Sequence, residues 1–354
     1  MGESKIIIFE RNEIETYYTY DQLTDLISQL QEDFPDIFAY YSLGKTYQGR
    51  DIWLVKISDN VNLDENEPGI FYTGGVHGDE KQGYEVVIYS LRTIAENYSS
   101  ANVNLTFTTR IKNIVNNSQL FFMPMVNPDG CEAGTRKNLR PNDCIFGKTL
   151  FKGVDVNRNS GYKWELLDEK PFEYRRSGFP PTIEKVNIKY PIFDFKSIIG
   201  EGCYRGPYPF SEPESQAIKS VVENHSIAIS IDYHSAADMV GYGWAWNHSH
   251  PLKNETTFSS IANNISEITG YAARRGSLYP ILGNMRDWMY AEHDIYAICI
   301  ELPHTKGDKP IQHLLHSNRH LLPWKNVPIL ELCQTHVEVN LYAAEKAIMI
   351  DDGV

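Results

Sequence analysis

The chain reads as an α/β protein, and three observations support that class. Helix-like and strand-like segments alternate along it, the strand-like ones are nearly continuous apolar runs, and several runs stop on a glycine turn or a polar side chain. Strands apolar on both sides suit a sheet covered by helices on both faces. Neither an internal repeat nor a low-complexity linker interrupts the 354 residues, so a single domain is expected.

The elements follow in order. From Tyr20, the residues Leu23, Leu26, Ile27 and Leu30 recur at helical spacing. Asp51–Ile57 alternates as a strand does. Residues 68–75 read as a buried strand closed by Gly74 and Gly75, and a helix is expected from about Gln82 to Asn97. Leu120–Val126 is a second buried strand, ended by the turn Asn127-Pro128-Asp129-Gly130. Ile227–Tyr233 and Ile295–Ile300 are two more, and Pro328–Ile348 reads as a closing helix. Residues 164–202 are rich in proline and aromatics without periodicity, and are read as a long ordered loop.

Composition narrows the function. The net charge is −13 and basic clusters are lacking, which argues against nucleic acid as a partner, since phosphates require Lys and Arg. No apolar run approaches the ~20 residues of a membrane span. The apolar stretch Ile6–Phe9 is too short for a signal peptide, so the expectation is a cytoplasmic protein or one whose signal has been removed. Five cysteines form no C-x-x-C pair, which disfavours a thiolate zinc site and fits a reducing compartment. Seven Asn-x-Ser/Thr sequons point weakly towards export, and the compartment stays open.

Chemistry gathers at the strand ends. His77 and Glu80 stand just past the Gly74-Gly75 turn, where an imidazole and a carboxylate on one tight turn can reach the same zinc ion. Alone the spacing is common. A catalytic zinc needs a third protein ligand, and His234 at the end of another apolar strand supplies one, although a solitary histidine there reads as a core residue. Glu301 finishes a fully apolar strand, where an unpaired carboxylate is costly to bury. Beside activated water it can take a proton and later deliver it to a leaving amine. Arg136 and Arg158 lie in runs that otherwise read as surface, but arginine suits forked recognition of a carboxylate.

Taken together, His77-x-x-Glu80, Arg136, Asn157-Arg158, His234, Tyr279 and Glu301 resemble, in this order, the zinc carboxypeptidase family of the A/B type. So do Asn127–Gly130, Gly161-Tyr162-Lys163-Trp164, Tyr204–Pro207 through Ser211–Glu214, and Asp287-Trp288. The resemblance runs from about Tyr17 to the end, leaving residues 1–16 as an N-terminal extension and 17–354 as the catalytic domain, with 164–202 a loop insertion. It implies a mixed, twisted sheet of about eight strands between helices, one zinc ion held by His77, Glu80 and His234, and Glu301 as general base and acid. Arg136 is implied to polarise the scissile carbonyl and stabilise the oxyanion. Asn157, Arg158 and Tyr279 are implied to hold the terminal carboxylate of a peptide or protein substrate, and Asp155 to orient the first histidine. A monomer without a long pro-segment is expected.

Departures from the family pattern sharpen the expectation. Arg286 stands where the family has the floor of its specificity pocket, and a guanidinium there favours a C-terminal Glu or Asp. Asp79 occupies a place where digestive members carry Arg, and resembles relatives acting on γ-glutamyl bonds. The alternative function is accordingly a zinc amidase or deacylase, or a γ-glutamyl cell-wall peptide hydrolase. Cys144 and Cys203 lie roughly where some members have a disulfide. His304, His313, His316 and His320 lack accompanying carboxylates and read as surface or loop residues, while Trp244 and Trp246 read equally as cleft packing or a stacking platform.

Overall fold

In a computed structural model of the chain, the described residues are 17–98, 105–141, 143–145, 148–151, 153–169, 203–303, 328–351 and 353. The N-terminal extension, most of the long loop (170–202) and the four histidines from His304 to His320 lie outside them.

Helix α1 (Tyr20–Asp33) starts on a reciprocal cap between Thr19 and Gln22 and buries Leu23, Ile27 and Leu30. Strands β1 (Phe38–Lys45) and β2 (Asp51–Ile57) form an antiparallel pair. Then come β3 (Gly69–Gly74), α2 (Lys81–Tyr98), α3 (Leu105–Val115) and β4 (Gln119–Met123). Every residue of β3 and β4 is buried, as expected of apolar strands covered on both sides. The stretch Asn127–Gly130, read as a turn, opens the short helix α4 (Pro128–Ala133). Asn127 caps it by accepting from Gly130 N, and proline at the first turn lacks only a donor that would be unpaired anyway.

A small hairpin of β5 (Asp143–Ile145) and β6 (Lys148–Phe151) follows, and the loop segment holds a one-turn helix α5 (Leu166–Glu169). The remaining elements are α6 (Pro213–Asn224), β7 (Ile227–Ser235), β8 (Met239–Tyr242), α7 (Glu255–Thr269), β9 (Ala272–Arg275), α8 (Met285–His293), β10 (Tyr296–Leu302) and α9 (Ile329–Asp351). None of the described helices is long and apolar enough to cross a membrane.

Eight strands form one mixed sheet in the order β1-β2-β4-β3-β7-β10-β8-β9. Strands β4, β3, β7 and β10 run parallel, flanked by antiparallel pairings on both sides. The sheet sorts its side chains by alternation. Ile70, Tyr72, Phe122, Ile231, Tyr233, Ile298 and Ile300 pack on one face with residues of α1, α2, α3, α7 and α9. Phe71, Phe121, Met123 and Ala297 pack on the other with residues of α6 and α8. Each fully buried side chain of this size contributes on the order of 1.5–3 kcal/mol. The chain leaves β3 towards β4 on one side and β7 lies on the other, so β3 is a switch point whose carboxyl end opens into a crevice.

Candidate active site

Three strand ends build the site. His77 and Glu80 lie on the turn after β3, with Glu80 immediately before α2. That turn packs tightly against α4: a Cβ on Gly78 would sit 2.0 Å from the carbonyl carbon of Gly130, so a side chain there would push the two apart. His234 comes from the end of β7, and Glu301 from β10, directly beside His234 in the parallel register and on the same face.

His77 Nδ1 lies 2.9 Å from Glu80 Oε1, His234 Nδ1 lies 2.9 Å from Glu80 Oε2, and the two imidazole Nδ1 atoms are 3.1 Å apart. All three side chains are buried. Zinc ligands at about 2.0–2.2 Å in a tetrahedron stand roughly 3.3–3.5 Å from one another, so these donors converge as one ion requires. Their chemistry also fits, since two imidazoles and a carboxylate are borderline ligands suited to zinc. Both outer nitrogens are bound to carboxylates as well: His77 Nε2 lies 3.1 Å from Asp155 Oδ1, and His234 Nε2 lies 2.7 Å from Asp232 Oδ2. Asp232 had no role in the sequence reading. Its one signal was its place two residues before His234, which on a strand means the same face.

The electrostatics are those of a tightly coupled cage. Burial pushes Glu80 up, but His77 and His234 outweigh it and hold the carboxyl well below its ordinary range. Burial also opposes ionisation of Asp155, where Arg136, Arg158 and His77 win and hold it well below. Arg136 donates through Nε to Asp155 (2.9 Å) and through Nη1 to Glu80 (3.3 Å), engaging two of the five N–H donors of a guanidinium.

Beyond the cage, Asn157 and Arg158 sit on a single 3-10 turn, Val156–Arg158. Arg158 is 1% exposed; its Nη2 reaches the Tyr279 hydroxyl at 3.4 Å, and its Nε has no hydrogen-bond partner among the described residues. Asn157 Nδ2 lies 3.1 Å from His234 Nε2, and Asn157 Oδ1 accepts from Met285 N at 3.1 Å, which ties the cage to the first turn of α8. Arg286, the next residue, is 7% exposed and donates through Nη2 to Gly276 O (3.1 Å). Its Nη1 is buried without a hydrogen-bond partner among the described residues. A small cavity against the sheet is lined by Arg286 together with Thr73, Val76, Ser230, Asp232 and Met285. Gly241 leaves room for this guanidinium, since a Cβ there would stand 2.8 Å from Nη1.

Every residue expected from the sequence at the metal, carboxylate and pocket positions lies on the described part of the molecule; His77, Glu80 and His234 converge past the carboxyl ends of β3 and β7, and Glu301 stands beside His234 in the register of β10. Cys203 is a free thiol. Trp244 is buried and stacks on Tyr162 with ring centroids 5.3 Å apart, which is packing beside the cleft.

The zinc carboxypeptidase family model matches residues 23–323. The chain belongs to the zinc carboxypeptidase family. Members hold one zinc ion, and the His77–Glu80–His234 cage is the candidate position for it here. A zinc carboxypeptidase from Saccharothrix mutabilis subsp. capreolus is 27% identical over 308 residues, covering 83% of this chain and 63% of that relative. The carboxypeptidase N catalytic chain of Homo sapiens is 22% identical over 313 residues, covering 81% and 62%. The chain therefore spans less than two thirds of the length of these relatives. In fold it is similar to the crystal structure of carboxypeptidase A from Helicoverpa armigera, with a TM-score of 0.70 at 19% identity, covering 95% of this chain and 74% of that one.

Proposed function

We propose that the protein removes single residues from the carboxyl ends of peptides, with preference for a terminal Glu or Asp. The observation that carries the preference is Arg286: a buried guanidinium whose Nη1 has no hydrogen-bond partner among the described residues, on a small cavity that Asp232, the neighbour of His234, also lines. A buried donor without an acceptor costs about 1–3 kcal/mol, and a substrate carboxylate relieves that cost.

Asn157, which meets His234, and the adjacent Arg158, which reaches Tyr279, receive the terminal α-carboxylate in this reading; Arg158 Nε has no hydrogen-bond partner among the described residues, which supports it. Zinc bound by His77, Glu80 and His234 would polarise a carbonyl and make water acidic. Glu301 takes a proton from the attacking water and returns it to the amine nitrogen of the departing residue. Arg136 donates to the scissile carbonyl oxygen as negative charge grows there, while its bonds to Asp155 and Glu80 hold the guanidinium in place.

The test is amino-acid release from blocked peptides that differ only in the last residue, with and without a zinc chelator. Chelator-sensitive release fastest from Glu or Asp is expected. Fastest release from Phe or Lys would leave the carboxypeptidase and discard the role of Arg286. Release only from γ-glutamyl or other branched amides would replace it with the amidase alternative.

A further inference from the structure

We infer that Asp232 is a second positioning carboxylate of the metal cage, setting the tautomer of His234 as Asp155 sets that of His77; the inference rests on the zinc reading of this site. The geometry is one-sided. Asp232 Oδ2 lies 2.7 Å from His234 Nε2, while the other ring nitrogen, Nδ1, faces Glu80 and His77. A carboxylate only accepts, so it selects the ring with its hydrogen on Nε2 and leaves the Nδ1 lone pair pointing into the cage.

Asp232 is itself held. Its Oδ1 accepts from the Thr73 hydroxyl at 2.7 Å, and the alternation of β7 puts it on the face of His234, with its side chain 17% exposed. The two histidines reach the same arrangement by different routes. Asp155 comes from a loop 78 residues after His77, whereas Asp232 precedes His234 by two residues on one strand.

A consequence extends to the substrate side. Asn157 Nδ2 also lies 3.1 Å from His234 Nε2, and Asn157 Oδ1 is committed to Met285 N. With the Nε2 hydrogen donated to Asp232, that ring atom accepts nothing, so the Asn157 amide hydrogens stay available for a substrate carboxylate. Without Asp232, Asn157 would donate to Nε2 and drive the hydrogen onto Nδ1, where it blocks the metal.

The experiment measures zinc affinity by competition with a chromophoric chelator for the wild type, Asp232→Asn, Asp232→Ala and Asp155→Asn. The His234 tautomer in the metal-free protein is read from its ¹⁵N shifts, and metal-free thermal stability is recorded for each. Both Asp232 variants are expected to bind zinc 10–100-fold more weakly, comparably to Asp155→Asn, with His234 moved to the Nδ1–H form. Zinc affinity within twofold of wild type in Asp232→Asn, or an unmoved tautomer, would overturn the inference. Weaker binding explained wholly by lost metal-free stability would overturn it too. A wild-type chain that takes up no zinc would instead overturn the metal reading beneath it.

Discussion

The metal cage and the Arg286 cavity are both buried and polar, yet they treat their hydrogen bonds in opposite ways. In the cage, both nitrogens of each imidazole and both oxygens of Glu80 and Asp155 meet a polar neighbour within 3.3 Å. Around Arg286 the described residues supply one acceptor, Gly276 O, and leave Nη1 without one. A saturated network holds its members in one geometry, as a metal requires; an unsaturated donor beside a cavity is, in the proposed reading, left for a substrate carboxylate.

Removing the metal should break the cage half of this comparison most completely. Chelation is expected to abolish peptide hydrolysis and added zinc to restore it; activity that survives exhaustive chelation would detach the cage from the chemistry. Glu301→Gln comes next, with kcat expected to fall by about 10²–10⁴ while zinc content is unchanged, since in the proposed mechanism the residue moves protons and is not a ligand. Unchanged kcat, or lost zinc, would contradict that assignment. Arg286→Ala should sharpen the cavity half. Loss of a charge-assisted hydrogen bond of about 1.5–3 kcal/mol lowers kcat/KM for a terminal Glu by roughly 10–100-fold and leaves a terminal Phe little changed. Equal loss for both substrates would mean that Arg286 supports the fold rather than selecting the residue.

Another unmatched nitrogen, far from the cavity, gives the comparison a control. His336 on α9 is fully buried among Tyr233 and Tyr271; its Nδ1 donates to Leu332 O at 2.8 Å, and its Nε2 has no hydrogen-bond partner among the described residues. It lies in the core on the helical face, away from the cavity, so it should affect stability and not binding. Burial pushes this imidazole down from its ordinary 6.5 to about 4. The unfolded chain therefore takes up the proton first, and stability falls as pH drops from about 6.5 to about 4, by about 3 kcal/mol in all. Denaturant unfolding of the wild type and His336→Phe across this range checks it; parallel pH profiles would contradict the assignment.

Much of the fold was legible because it depends on local pattern. The apolar runs at residues 51–57, 68–75 and 227–233 became β2, β3 and β7, and the capped repeat from Tyr20 became α1. The short strands β8 and β9, at the β9 end of the sheet, escaped notice. They are four residues long, and β9 reads Ala-Ala-Arg-Arg with two exposed positions, too little apolar surface to stand out from loop. The site was legible where a polar residue ends an apolar run, as at His77, His234 and Glu301. Asp232 was hidden because a single aspartate within a strand has many uses, and its distance to an imidazole appears only once rotamers and register are set.

By itself the sequence determined which segments are strands, which polar residues they carry to their ends, and the family to which the chain belongs, because hydrophobic period and residue type are local properties. Only the tertiary structure decided that Asp232 holds His234, that Asn157 bridges His234 to the first turn of α8, and that the Arg286 guanidinium is buried with one donor unmatched among the described residues. Those relations join residues up to 128 positions apart, and hydrogen bonding is decided by distances of a few ångströms that strand order and register set.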